Sequence, residues 1–441
     1  MNQSKRELKL NYKTTLFISL AFFSILMLWQ IYNTYCPYFL ESFIGENKQY
    51  IIGVIMATDN IVAMVLLPLF GRLSDKTNSK YGKRMPYIVI GMILAALIFP
   101  LIPLMYVKGS LAGLIIMMFI ILCIMHMYRT PAVSLMPDVT PKPLRSKANG
   151  IINLIGYFGP IIAGVIAMVV KYNEHPYIPF VIASFCLISA CIILIITVNE
   201  NKLLESVKED LILGEELSQS LNKIEEDKPL SKGDKKNLII LLLSTFLWYM
   251  AFNALETFLS LYCKNVLNDQ SLSGTVTIIL TIASIITFIP SGILANKIGR
   301  KKSIMIGIIL LFVGFFGSAI VTTNPNINNS IMKIIFFILV ALAGIGWACI
   351  NVSSYPMVIE LASRKNIGRI SSLYYIASML AQSVTPILVG LIMAYATGYK
   401  GLFYYSSALS VLAFITFFLY KENKEKVEYL KKGLFEHFDN D

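Results

Sequence analysis

"PLFGRLSDKTNSKYGKR" (residues 68–84) returns as "IPSGILANKIGRKK" (residues 289–302), with Gly71 answering to Gly292 at an offset of 221. Two further stretches repeat in the same way. "MPDVTPKPLRSKANG" (136–150) is echoed by "YPMVIELASRKNIGRISS" (355–372), and "PIIAG" (160–164) by "PILVG" (386–390), the last at an offset of 226. A near-constant offset over three landmarks implies two like-oriented repeats of one structural unit.

Each copy is flanked by apolar runs long enough to cross a membrane. The 441 residues are 56% hydrophobic and 15% charged, with a mean hydropathy of +0.67, far from the mix of a soluble domain. Runs of about 20 residues suffice to span a hydrocarbon core of about 30 Å. Twelve are predicted, at 14–38, 50–70, 86–106, 111–136, 148–170, 177–198, 238–262, 274–295, 303–322, 331–357, 370–396 and 401–420. The first is too long for a signal-peptide core and no small-residue cleavage site follows it, so it is counted as a helix. The fold class is therefore all-α integral membrane, with a six-helix bundle at 1–198, a linker at 199–236, and a second six-helix bundle with a tail at 237–441. The linker's Leu and Ile spacing predicts a short amphipathic helix on the membrane surface with a solvated charged face. Like-oriented repeats of this kind hold a site between the halves near the midplane, exposed to each side by rocking.

The net charge of +12 invites a nucleic-acid reading that its placement removes. With the N-terminus inside, only Lys48, Lys108, Lys171, Lys264, Lys333 and Lys400 fall outside, leaving 32 of the 38 Lys and Arg on the cytoplasmic face. Insertion and anionic inner-leaflet lipid account for the excess. Both termini are expected in the cytoplasm, the chain in the cell membrane as a functional monomer, with the lipid bilayer as its partner. The six Cys (36, 123, 186, 191, 263, 349) lie in or at the ends of spans without ligand spacing, and three His (126, 175, 437) offer no histidine metal site. No metal or cofactor is expected beyond a coupling ion, H+ or Na+. No nucleotide loop and no His, Cys or paired-acid catalytic set is present, which argues against an enzyme.

The loop "GRLSDKTNSKYGKRMPYI" (71–88) and the repeat pattern identify the chain as resembling the major facilitator superfamily. Within it the loop is similar to that of the glycoside, pentoside and hexuronide to cation symporters of the melibiose type, through Gly71, Asp75, Thr77, Ser79, Lys80, Tyr81, Gly82, Lys83, Pro86, Tyr87 and Ile88. "LSD" with its basic tail also resembles the sucrose to proton symporters, and "SLMP" (134–137) the melibiose-type end of helix 4. The resemblance implies symport of a sugar or glycoside driven by H+ or Na+.

Candidate site residues follow from what a charge costs in lipid. Asp59 in "MATDNIVAM" lies 12 residues before Gly71, about 18 Å along the helix and near mid-membrane. A carboxylate there costs a few kcal/mol unless it faces protein or water, and taking up a proton removes that cost. A neutral, hydrogen-bonded structural Asp is the alternative. Melibiose-type symporters carry two helix 2 acids at positions matching Ala63 and Leu67 here. Losing both removes most of a sodium cage and suits a single titratable acid, although Thr58 and Asn60 still offer oxygens, so Na+ stays open. Arg129, about 12–13 Å from the end of helix 4, occupies the place of a family sugar-binding Asp with the charge reversed. It is a hydrogen-bond donor to substrate, an ion-pair partner for Asp59, or a snorkelling arginine. His126, three residues earlier, is read as a structural hydrogen-bonding group with a proton relay as the alternative.

A sugar needs aromatic faces for its C–H edges and amides or carboxylates for its hydroxyls. Candidates are Gln30, Tyr32 and Asn33 on helix 1, Asn153 on helix 5, Glu256 on helix 7, Trp347 and Asn351 on helix 10, and Tyr375 and Gln382 on helix 11. The resemblance aligns Asn153 with a family arginine and Tyr375 with a lysine, so charge selectivity is expected to differ. Gly156, Pro160 and Gly164 form a packing or hinge stripe. Gly71, Asp75, Lys83 and Arg84 are expected to gate, because an acid at a helix end beside cations can latch helix ends in one state and release them in another, with positive-inside topology alone as the alternative for the cations. Asn296 stands in the matching place of the second half, so such a latch is asymmetric. A carrier of another solute, such as an organic anion bound by Arg129, or an exporter, is the alternative function.

Overall fold

The computed structural model describes residues 8–221, 232–324, 329–361 and 366–421, and among these the regular structure is entirely helical. Residues 222–231 of the linker, 362–365 of the second echo and the tail from 422, with His437, lie outside the described residues. The first six spans are α1 (Tyr12–Ile44), α2 (Gln49–Lys76), α3 with α4 (Met85–Ile98, Leu101–Val107), α5 (Leu111–Asp138), α6 with α7 (Arg145–Gly156, Phe158–Val169) and α8 (Ile178–Thr197). Two helices, α9 (Glu200–Ser206) and α10 (Lys208–Leu221), follow. The second six are α11 (Lys232–Asn265), α12 (Ser271–Ile298), α13 (Arg300–Thr322), α14 (Ser330–Glu360), α15 (Ile367–Ile392) and α16 (Gly401–Phe418).

Eleven continuous helical stretches are long and apolar enough to cross a membrane, and the last, Gly368–Phe418, is 51 residues long. At 1.5 Å per residue that is about 76 Å, more than two crossings. Gly398, at φ +59°, turns the chain there and divides the stretch into α15 and α16. The twelve expected spans are thus found, several of them, such as α1, α2 and α11, extending past the predicted apolar run, whereas α8 and α16 stop a residue or two short of it. Polar caps start several of them: the Asn11 side chain accepts from the Thr14 N–H and the Ser110 hydroxyl from the Gly113 N–H. The repeat is visible in α2 and α12, both 28 residues long with interior prolines at Pro68 and Pro290. Where one surface helix was expected in the linker, two form, and α11 begins inside it at Lys232.

The six-span groups meet mainly through α2 on α15, α7 on α12 and α1 on α11. Glycines permit the approach. A Cβ on Gly53 would lie 2.0 Å from the Pro386 carbonyl oxygen, and one on Gly274 2.2 Å from that of Gly164. Within the Gly156–Gly164 stripe, Gly164 faces α12, whereas Gly156 packs on Leu26 of α1. These cross-group contacts lie toward the end of the molecule where α1 finishes and α2 begins, called here the far end. The opposite end carries the start of α1, the end of α16, α9 and α10.

Candidate functional site

Between the two groups lies a cavity of about 520 Å³. On α1 it is lined by residues 22, 25, 26, 29, 30, 33 and 34, a stripe at helical spacing. Gln30 and Asn33 belong to that stripe; Tyr32 does not, being fully buried in the protein interior. Asp59, Arg129, Asn153, Glu256, Trp347, Asn351 and Gln382 also line the cavity. Tyr375 lies two turns from Gln382 on the same helix, about 10 Å off, outside the lining; it is 54% exposed and sits against Tyr355 and Tyr374. Nine of the eleven residues proposed for coupling or substrate contact are therefore brought together, and Tyr32 and Tyr375 are not.

Asp59 is the hub of the first group's wall. Its Oδ2 accepts the indole N–H of Trp29 at 2.8 Å, and its Oδ1 is 3.0 Å from His126 Nε2, which also lies 3.2 Å from the Asp59 carbonyl oxygen. The Arg129 guanidinium rests 4.2 Å over the face of the Trp29 ring, a cation–π contact. Asp59 and Arg129 thus share the indole of Trp29, and the imidazole of His126 is also in direct reach of the Asp59 carboxylate, at 3.0 Å. The Asp59 charge still reaches Arg129 electrostatically.

Aromatic and amide groups from the second bundle form the opposite wall. Phe252 and Trp347 stack at 3.9 Å with planes 5° apart, and Tyr249 meets Trp347 edge-on at 5.2 Å. Tyr249 donates to Asn351 Oδ1 at 3.4 Å, and Asn253 Nδ2 to Glu256 Oε2 at 3.0 Å. Among the described residues, hydrogen bonds that cross between the groups at the cavity edge run from Gln30 Nε2 to Thr277 Oγ1 at 3.4 Å and from Asn60 Nδ2 to the Gln382 carbonyl at 3.3 Å.

The proposed gating residues cluster at the terminus end of α2, α3 and α5. Arg84 Nε donates to Asp138 at 2.9 Å, Nη2 to Asp75 and Nη1 to Ser74, both at 2.5 Å, while Lys83 Nζ lies 3.1 Å from Asp138. Burial opposes the Arg84 charge, but the hydrogen bonds and charges of Asp138 and Asp75 outweigh it, holding the guanidinium above its ordinary value. Gly71 gives α5 room: its Cβ would stand 3.2 Å from Thr130 Cγ2. Glu200 at the start of α9 is fully buried and accepts the backbone N–H groups of Lys83, Arg84 and Met85 at 3.1, 2.8 and 2.9 Å. In the second group, where Asn296 offers no charge, Arg300 pairs with Glu360 at 2.5 Å.

At the far end Glu41, 3% exposed, joins the two groups. It pairs with Lys264 Nζ at 2.6 Å, accepts from Asn265 Nδ2 at 2.7 Å and bonds the Tyr399 hydroxyl. At the opposite end the pairs of Arg84 with Asp75 and Asp138 and of Arg300 with Glu360 each stay within one group, and that of Lys142 with Glu215 joins the first group to the linker.

The sequence profile of the Major Facilitator Superfamily matches residues 18–332 and 241–437. The chain belongs to that superfamily. As a major facilitator protein it is a multi-pass membrane transporter for a small molecule, not an enzyme. It is 21% identical over 409 residues to a multi-drug resistance efflux pump PmrA homolog of Lactococcus lactis subsp. lactis (strain IL1403), covering 90% of this chain and 91% of that one. Solved structures similar to it include a bacterial homologue of the iron transporter ferroportin in an inward-facing state, at TM-score 0.68 and 14% identity over 94% of this chain and 100% of that one. A D-xylose-proton symporter is similar at TM-score 0.68 and 14% identity, over 94% and 99%. Those two likenesses carry the fold.

Sequence reasoning missed Trp29, Glu41 and Glu200, and it placed His126 among structural groups. An indole or a helix-end glutamate has no distinctive spacing; Trp29 and Glu41 stand out only as polar groups beside apolar sequence, and Glu200 not even by that.

Proposed function

We propose that this transporter carries a sugar or glycoside together with H+ by alternating access, in the plasma membrane, as a functional monomer with both termini cytoplasmic. The observation that carries the sugar is the far wall of the cavity: the Phe252–Trp347 stack beside Asn351, Asn253 and Glu256. A flat aromatic face suits the C–H face of a pyranose, and the amides and carboxylate suit its hydroxyls. Both oxygens of Asp59 face nitrogen donors, which supply hydrogens to a carboxylate and no lone pairs to a sodium ion. That supports H+ as the coupling ion. With cytoplasmic termini, a molecule tied together at its far end is inward-facing, the state in which substrate leaves after uptake.

In proteoliposomes an imposed pH gradient should drive uphill uptake of the sugar that most stabilises the purified protein against heat. Asp59→Asn should abolish uphill uptake and leave sugar exchange intact. Normal gradient-driven uptake by that variant would sink the coupling assignment. Export is the second reading, favoured by the likeness to the efflux pump homolog and by an Arg129 guanidinium facing the cavity. Heat protection by organic anions but not sugars, with extrusion from inverted vesicles, would support it.

A further inference from the structure

Resting on Asp59 as the coupling acid, we infer that His126 is a second member of the proton site, and that one added proton is shared by the Asp59–His126 pair. The argument is an account of hydrogens. His126 Nε2 faces both Asp59 Oδ1 and the Asp59 carbonyl oxygen. A carbonyl can only accept, so Nε2 carries the ring hydrogen and donates. The indole of Trp29, a donor under all conditions, occupies Oδ2. Both carboxylate oxygens therefore accept an N–H, an arrangement that fits the ionised acid.

Each carboxylate oxygen already accepts one N–H and keeps one lone pair. The pair also holds an unused ring acceptor: His126 Nδ1 is buried and has no hydrogen-bond partner among the described residues, and the ring as a whole is fully buried. An orphaned buried polar atom calls for a role. When H+ adds to Nδ1, the proton on Nε2 passes to Asp59 Oδ1. The products are a neutral imidazole protonated at Nδ1 and a neutral carboxyl whose O–H donates to Nε2. One proton is bound, one carboxylate charge is removed, and Asp59 Oδ1 and His126 Nε2 meet donor to acceptor in either state, while Nε2 gives up its longer 3.2 Å contact with the Asp59 carbonyl oxygen. Among the described residues, ionisable groups that feel the Asp59 charge include Tyr32 on α1, Arg129 on α5 and Glu256 across the cavity on α11. Losing the Asp59 charge weakens the hold of Asp59 on the Trp29 N–H, and Trp29 carries Arg129 on its face into the cavity. Proton binding is thereby transmitted to the substrate wall through a single indole.

The test needs no substrate. The chain has three histidines, so ¹⁵N-histidine labelling of the full-length protein with His175→Gln and His437→Gln leaves His126 as the one imidazole signal. Titrated with protons from about pH 9 to about pH 5, Nδ1 should pass from unprotonated to protonated, while the Trp29 indole N–H signal moves with the same midpoint. His126→Gln keeps an N–H for Asp59 but has no second ring lone pair, and should displace the Trp29 titration by more than about tenfold in proton concentration, roughly one pH unit. An Nδ1 that stays unprotonated while Trp29 titrates overturns the inference, as do superimposable Trp29 titrations in the two proteins. If the pair titrates as expected but Asp59→Asn still drives uphill uptake, the shared proton site stands and the coupling assignment falls.

Discussion

A guanidinium, an indole, a carboxylate and an imidazole make up a chain of contacts in which each member has one role fixed by its chemistry. Trp29 is its pivot because its N–H can only donate and its face can only attract a cation. Trp29→Phe keeps a face for Arg129 and deletes the hydrogen bond to Asp59. A hydrogen bond to a charged group contributes about 1.5–3 kcal/mol, so uphill uptake in proteoliposomes should fall by about ten- to a hundredfold relative to exchange. Equal losses in both assays would reduce Trp29 to a packing residue. Asp59 and Arg129 were legible in the sequence because an ionised group in an oily run is costly and therefore meaningful. Their arrangement was not. Spacing along one helix says nothing about which side chain of another helix intervenes, and Tyr32 shows the converse, having suitable chemistry on a face of α1 turned away from the cavity.

At the level of elements, the α2–α3 connection is held by a residue more than a hundred positions away. Glu200 places a carboxylate on three free N–H groups at the start of α3, where the helix dipole also favours an anion. Gly82 makes the approach possible: its φ is +105°, and a Cβ there would lie 2.2 Å from Glu200 Oε2. Gly82→Ala should therefore cost about 1–2 kcal/mol from backbone strain alone, and Glu200→Ala about 2–3 kcal/mol from lost charged hydrogen bonds. Each should appear as a lower Tm with faster amide exchange confined to residues 77–86. Unchanged exchange there would mean the carboxylate merely rests on the loop. The spans themselves were legible because about 20 apolar residues is a length requirement set by the bilayer. Glu200 was not, since in "NENKLLES" it looks like any solvated acid, and Gly82 was visible as a family match without its physical reason.

For the whole molecule, the two-fold sequence repeat predicts two bundles but gives no sign of which end is shut. The far-end closure rests on Glu41, just past the predicted edge of the first span, together with the glycine-mediated contacts of α2 on α15 and α7 on α12. Rocking to the opposite state must break the Glu41 cluster, so its strength sets the balance between the two states. Removing one partner of a buried ion pair costs about 3–5 kcal/mol; Lys264 is 24% exposed in its side chain, and water there reduces the effect. Glu41→Gln should then shift the equilibrium toward the far-side-open state by at least about tenfold, about 1.4 kcal/mol. Spin labels at Lys108→Cys and Ser330→Cys, both exposed positions on opposite groups near the far end, would report it once the six native cysteines are replaced. The distance distribution in detergent should gain a longer component in Glu41→Gln that is minor in the parent, and Lys264→Met should produce the same component. Distributions that coincide in all three proteins would mean the backbone-close glycine contacts alone keep this end shut, leaving the Glu41 cluster as a consequence of closure.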